Sequence, residues 1–415
     1  MIKPTLMTGG RAAASAALIF VLPAAASAQQ IESPPTFNAS KIAGIQPVGS
    51  NYTIENPVRS DGMLRVYNLT TPYGKFPVRG DAMMRMRINE LKALAALQKV
   101  SNSDTFGKAL VQAGLSPVKY TGKLITNPVG TVKGTLSGVG AFFNRLAAGA
   151  AAQGNTPDKP VASLLGVTDA RRKLAARYGV DPYTDFPPLD AALKRLAEAS
   201  TAGGLVVTGA LMAVPGAAGI VVSNLSTANK LNDVAIDQLA RNYTAAQILA
   251  LNRKRLLAMK VPLPVIDKLL ANHDFTPIDM VAMVAALDSM KQVRDRDIFA
   301  ARAAEAHPRY VAYFVRRQAE LLADGYHHRA GYVRFLSLAG DPVVLDRRGR
   351  LEMVAPIDAL SWTKDSSASL SKMAAAAKRA APKRHGELHI TGQATKLAQR
   401  SLKKLGWTVR EHPPN

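Results

Sequence analysis

His385, Glu387 and His389 alternate along one short run, so on a β-strand all three project from one face while Leu388 and Ile390 turn to the other. Two imidazoles and a carboxylate are donors suited to zinc or iron, which makes this run the leading metal candidate of the chain. Successive same-face positions on one strand spread farther than a tight ligand set allows. The default expectation is therefore the exposed polar face of an edge strand, with no metal. Asp181 and Asp185 offer oxygen ligands to a hard cation, but their run lacks the alternating spacing of a calcium loop. His327 and His328 are adjacent, so their side chains diverge, and the doublet reads as a solvated helix end.

Serine chemistry finds little support. Ser-x-x-Lys occurs at Ser116/Lys119, Ser361/Lys364, Ser369/Lys372 and Ser401/Lys404, a recurrence that a lysine-rich chain produces by coincidence, and no Lys-Thr-Gly element accompanies it. There is no Gly-x-Ser-x-Gly elbow, no phosphate-binding loop, no dinucleotide fingerprint and no His-Glu-x-x-His. No cofactor is expected. Triads assemble only on folding, so the sequence leans away from an enzyme without closing that reading.

Charge narrows the partners. The 415 residues carry 53 Lys+Arg against 30 Asp+Glu, a net charge of +23, which draws polyanions but says nothing about fold. Lys3 and Arg11, the apolar run from Ala12 to Leu22 and Ala26-Ser27-Ala28 follow the order of a secretory signal peptide, so cleavage is expected after Ala28. With export, anionic lipid, lipopolysaccharide or a cell-wall polymer ranks above nucleic acid as partner. There is no cysteine, so neither a disulfide nor a lipidated cysteine contributes.

Two stretches poor in charge need a cause. Residues 199–229 contain no charged side chain, and Pro215-Gly216 divides the span 201–223 into two arms, read as a buried helical hairpin, a membrane-inserted hairpin or a kinked single span. Between Asp104 and Asp158 no acid occurs, and Val129, Val132, Leu136, Val139, Phe143 and Leu146 form a helical seam beside Gly130, Gly134 and Gly138. A helix at 129–149 reads either as a core helix in a tight interface or as an interfacial helix with Lys133 and Arg145 at headgroups and Phe142 and Phe143 buried, Lys123 standing just before it. A homo-oligomer through the glycine groove is a third reading.

The elements follow from periodicity and caps. Residues 29–80 read as a flexible lead-in and a hairpin, 81–155 as a basic glycine-rich helical region, and 156–330 as a helical core domain. Within that core, helices are placed at 244–259, 264–272, 276–290, 292–305 and 308–324, with Thr244 and Thr276 as caps. Residues 331–415 read as a basic α+β tail, with a low-complexity stretch from Ser366 to Arg384 and a strand-helix-strand unit at its end. The helix of that unit presents Lys396, Arg400, Lys403 and Lys404 to an anion. The fold expected is mainly α with minor β: a helical core domain plus short β-hairpins and a small C-terminal α+β unit. The function expected is an exported cell-envelope protein that binds an anionic membrane surface or polyanion, the alternative being a periplasmic hydrolase of an acidic or cell-wall substrate. In that alternative, His307, His327 or the His385/His389 pair would meet an acid in a pocket.

Overall fold

Pro72 and Tyr73 reverse the chain between two alternating runs, and the hairpin they close belongs to a five-stranded sheet. A computed structural model describes residues 30–101, 169–202, 239–328 and 331–412, and those from Glu32 onward belong to one unit. Strands β1 (Val48–Gly49), β2 (Tyr52–Ile54), β3 (Arg59–Ser60), β4 (Arg65–Thr71) and β5 (Gly74–Arg79) form the first, antiparallel sheet. β2 and β3 lie end to end along one edge of β4, and β5 takes the other. The inward side chains Tyr67, Leu69 and Val78 meet α1 (Asp81–Ser101), α2 (Asp169–Arg177) and α3 (Pro187–Ala202) through Met84, Leu91, Leu174 and Leu193. A lone hairpin would be barely stable, and these helices supply its packing partner.

Five helices follow: α4 (Ala245–Ala258), α5 (Leu263–Leu270), α6 (Pro277–Ser289), α7 (Asp297–Ala304) and α8 (Arg309–His328). Thr244 with Gln247 and Thr276 with Asp279 close capping boxes, and Pro277 occupies the first helical position, where its missing N–H costs nothing. Met280, Met283, Val284 and Leu287 of α6 pack with Val315, Ala319 and Leu322 of α8.

The chain ends in a second sheet. β6 (Tyr332–Leu338), β7 (Asp341–Asp346) and β8 (Leu351–Ala355) run antiparallel, and a short β9 (Ala359–Leu360) precedes α9 (Lys364–Ala380). Then come β10 (Gly386–Ile390), β11 (Gln393–Ala394), α10 (Lys396–Lys404) and β12 (Trp407–Glu411). The order is β12-β10-β8-β7-β6, and β8, β10 and β12 are parallel. One face buries Leu351, Met353, Leu388 and Ile390 under Leu370, Met373 and Ala377 of α9 and Ala398 and Leu402 of α10. Each large side chain buried in this way contributes about 1.5–3 kcal/mol. α8 covers part of the other face, where Gln318 Nε2 donates to the Val354 carbonyl at 2.8 Å.

These findings correct the expected fold class. The chain is about half helical and a fifth strand, with mixed and antiparallel sheets, rather than mainly α with minor β. Several strands are only two or three residues long, and β8, β10 and β12 pair across intervening helices, which no local window registers. Part of the 29–50 stretch read as flexible is built as well, with a 3-10 turn at Ala39–Lys41 and the strand β1. The low-complexity segment folds as α9, because Leu370, Met373, Ala374 and Ala377 share one buried helical face behind a Thr363/Ser366 capping box. The signal-peptide span 1–28, the glycine seam at 129–149 and nearly all of the neutral span 201–223 lie outside the described residues. Among the described residues no helix is long and apolar enough to cross a membrane.

Candidate functional site

Parallel pairing brings the entrances of three strands to one end of the second sheet. Gly386 aligns with Leu351 on one side and with Trp407 on the other, so β8, β10 and β12 begin side by side. Neighbouring strands lie about 4.8 Å apart, which puts all three entrances within about 10 Å. Backbone bonds fasten them: Leu351 N–H donates to the His385 carbonyl at 3.0 Å, and Gly386 N–H to the Gly406 carbonyl at 3.1 Å. The segments that enter are the β7–β8 turn 347–350, the end of α9 with its loop 378–385, and the end of α10 at 403–406. None contains an acid, and together they present Arg347, Arg348, Lys378, Arg379, Lys383, Arg384, Lys403 and Lys404 as exposed cations.

Gly386 explains how the sheet closes here. A β-carbon at this position would stand 2.2 Å from Trp407 Cδ2, so the indole lies directly on the glycine backbone.

One residue inside this basic end, on the face away from α9 and α10, the polarity reverses. Glu352 and Glu387 are directly opposite on β8 and β10, and His389 follows on β10. All three are buried, and their ligand atoms lie within 4.8 Å of one another. His389 Nε2 is 3.3 Å from Glu387 Oε2 and 3.7 Å from Glu352 Oε2. Its Nδ1 faces His412 Nε2 at 3.0 Å, and the two rings are parallel within 3°. Tyr332 Oη donates to Glu352 at 3.4 Å.

Arginines enclose this group. Arg350 grips the fully buried Asp346 at 2.8 Å, and its guanidinium also reaches Glu387 at 3.1 Å and Glu352 at 3.4 Å. Arg410 donates to Glu387 Oε1 at 3.0 Å. Burial pushes the Glu387 carboxyl up, but the Arg410 hydrogen bond and the charges of Arg350 and Arg410 outweigh it and hold the group below its ordinary value. Among the described residues, Asp346, Glu352 and Glu387 meet the guanidinium groups of Arg350 and Arg410, with the pair His389–His412 beside them.

The sequence candidates divide. Glu387 and His389 meet as donors, whereas His385 lies exposed on the loop before β10 and is absent from the group. The strand expected to be an edge is interior, flanked by β8 and β12, which is why its polar face is buried. Glu352 was missed because it comes from the other side of α9, and only the parallel register brings it opposite Glu387. Lys396, Arg400, Lys403 and Lys404 all lie exposed on α10. Lys123, Lys133, Phe142, Phe143 and Arg145 lie outside the described residues.

Compared with models of protein families, with curated proteins and with solved structures, the chain matches none. The assignment therefore rests on geometry alone.

Other polar groups are accounted for by structure. Asp181 accepts from Thr276 Oγ1 at 2.6 Å, and Asp185 accepts from Arg87 at 3.1 Å, so both aspartates are held by protein donors. His307 Nδ1 pairs with Asp274 at 2.5 Å and His328 with Asp324 at 3.3 Å, both on exposed positions. Ser361 Oγ is buried without a partner, while Lys364 is exposed, so their Ser-x-x-Lys spacing makes no nucleophile and base. An open groove of about 640 Å³ between α5, α7 and the β6–β7 turn holds no histidine, and its Glu305 is paired with Lys268 at 2.5 Å.

Proposed function

We propose that the chain acts by binding a phosphate-bearing polyanion through the basic end of its second sheet. The observation that carries this reading is the convergence of eight exposed cations from three acid-free segments on the entrances of β8, β10 and β12. Lys378, Arg379, Lys403 and Lys404 also complement the last turns of α9 and α10, which alone would account for them. Arg347, Arg348, Lys383 and Arg384 belong to no helix and no dipole calls for them, although Arg347 donates to Gln292 at 3.1 Å and Arg384 to the Gly349 carbonyl at 2.6 Å. Lys396 and Arg400 extend the positive surface along α10.

Anionic headgroups, lipopolysaccharide and anionic cell-wall polymers share this charge, and the expected export makes them the natural partners. At this end of the sheet Leu405, at 38% exposure, is the large apolar side chain offered to solvent, so contact is by charge rather than by insertion. Titration of the full chain with polyphosphate, with lipopolysaccharide, with anionic vesicles and with neutral vesicles tests the reading. Binding to the phosphate-bearing ligands at low salt, released as salt rises, is expected. Equal binding to neutral vesicles, or binding to none of the four, overturns it.

A further inference from the structure

We infer that Glu352, Glu387 and His389 form a binding site for one divalent ion of the zinc class. This inference is independent of the polyanion reading. It stands on the distances among the three donors and on what holds the imidazole.

A tetrahedral ion bound at about 2.0–2.2 Å to nitrogen and oxygen requires its ligands to lie about 3.4 Å from one another. His389 Nε2 meets that separation twice, at 3.3 Å from Glu387 and 3.7 Å from Glu352. The donors come from two adjacent parallel strands in register, so the backbone fixes their spacing before any ion arrives. Three protein donors of this type leave a fourth position for water or ligand, the arrangement of open zinc sites.

The imidazole is also oriented for the task. His389 Nδ1 faces His412 Nε2 at 3.0 Å, which turns Nε2 toward the carboxylates. An outer partner on the second ring nitrogen is the usual device that fixes tautomer and ring plane in metal-ligating histidines. The competing arrangement is a protonated His389 that simply neutralises the two glutamates and binds nothing.

Zinc alone, titrated into the metal-free full chain, separates the two. The expected result is one equivalent bound with a rise in Tm. E352Q and H389A should lose at least about 100-fold in affinity and H412A about 10–100-fold, while H385A and H307A keep the wild-type value. Circular dichroism of each variant reports its folding. For any variant that does not fold, cobalt(II) on the wild-type chain serves instead, with the visible bands of a four-coordinate ion displaced by one equivalent of zinc. Failure of the wild type to bind zinc at micromolar concentration, unchanged affinity in folded E352Q and H389A, or a weak six-coordinate cobalt spectrum overturns the proposal.

Discussion

Asp358 Oδ2 accepts the backbone N–H of Asp81 at 3.0 Å and that of Arg65 at 3.1 Å, tying the start of α1 and the first residue of β4 to the loop before β9. Asp81 in turn holds Arg65 and the Tyr67 hydroxyl, each at 2.5 Å. Burial, with the Asp81 charge added, pushes the Asp358 carboxyl up to about 8, against the two N–H bonds and Arg65. The native state therefore binds a proton that the unfolded state has released between about pH 4 and pH 8, and stability falls as pH rises through that window. Each pH unit inside it is worth up to about 1.4 kcal/mol. Asp358→Asn keeps an oxygen for both N–H groups and has no charge to bury. Relative to wild type it should gain stability from pH 5 to pH 8.5, measured by urea unfolding at both; an offset equal at the two pH values contradicts this.

Arg87 donates to Glu90 at 2.5 Å and to Asp185 at 3.1 Å inside the first core, and Thr184 Oγ1 donates to the other Glu90 oxygen. Burial already raises Glu90 to about 7, with the Arg87 charge the main influence opposing it. Arg87→Met strands a buried carboxylate and should cost about 3–5 kcal/mol at pH 8. The loss should shrink at pH 5.5, where Glu90 takes up a proton and no charge is left unpaired. Equal losses at both pH values in denaturant titrations would refute the pairing as described.

Gly386→Ala forces a methyl group into the Trp407 ring, 2.2 Å from Cδ2. Relief requires the indole or the strand to move, at about 1–3 kcal/mol. Thermal unfolding should show the loss and tryptophan fluorescence a changed environment. Wild-type values for both would mean that the indole does not rest on the glycine.

Much of the helical structure was legible locally, because caps announce it. Thr244, Thr276 and Pro277 mark helix starts within a residue of those found. The sheets were harder to read. β1 to β3 are two or three residues long, with β2 and β3 paired to β4 and β1 only to β2, and α9 hides in a composition that resembles a linker. At the metal candidate, same-face alternation puts Glu387 and His389 side by side, since strand geometry is local, and they lie 3.3 Å apart. Glu352 and His412 join through strand register, which is a property of the fold, and His385 drops out because β10 begins one residue after it.

Charge placement carries the central claim, so location must matter more than total charge. Arg348, Lys383, Lys403 and Lys404 are exposed at the strand entrances, whereas Lys75, Lys92, Lys99 and Lys254 are exposed elsewhere. Changing either set of four to glutamine removes the same net charge. The decisive measurement is the dependence of log Kd for polyphosphate on log salt in the two variants and the wild type. The entrance variant should lose at least about tenfold in affinity and flatten the slope by roughly 3 units, at about 0.7 per lost contact, while the other variant stays near wild type. Equal effects of the two sets, or no effect of the entrance set, would contradict the account.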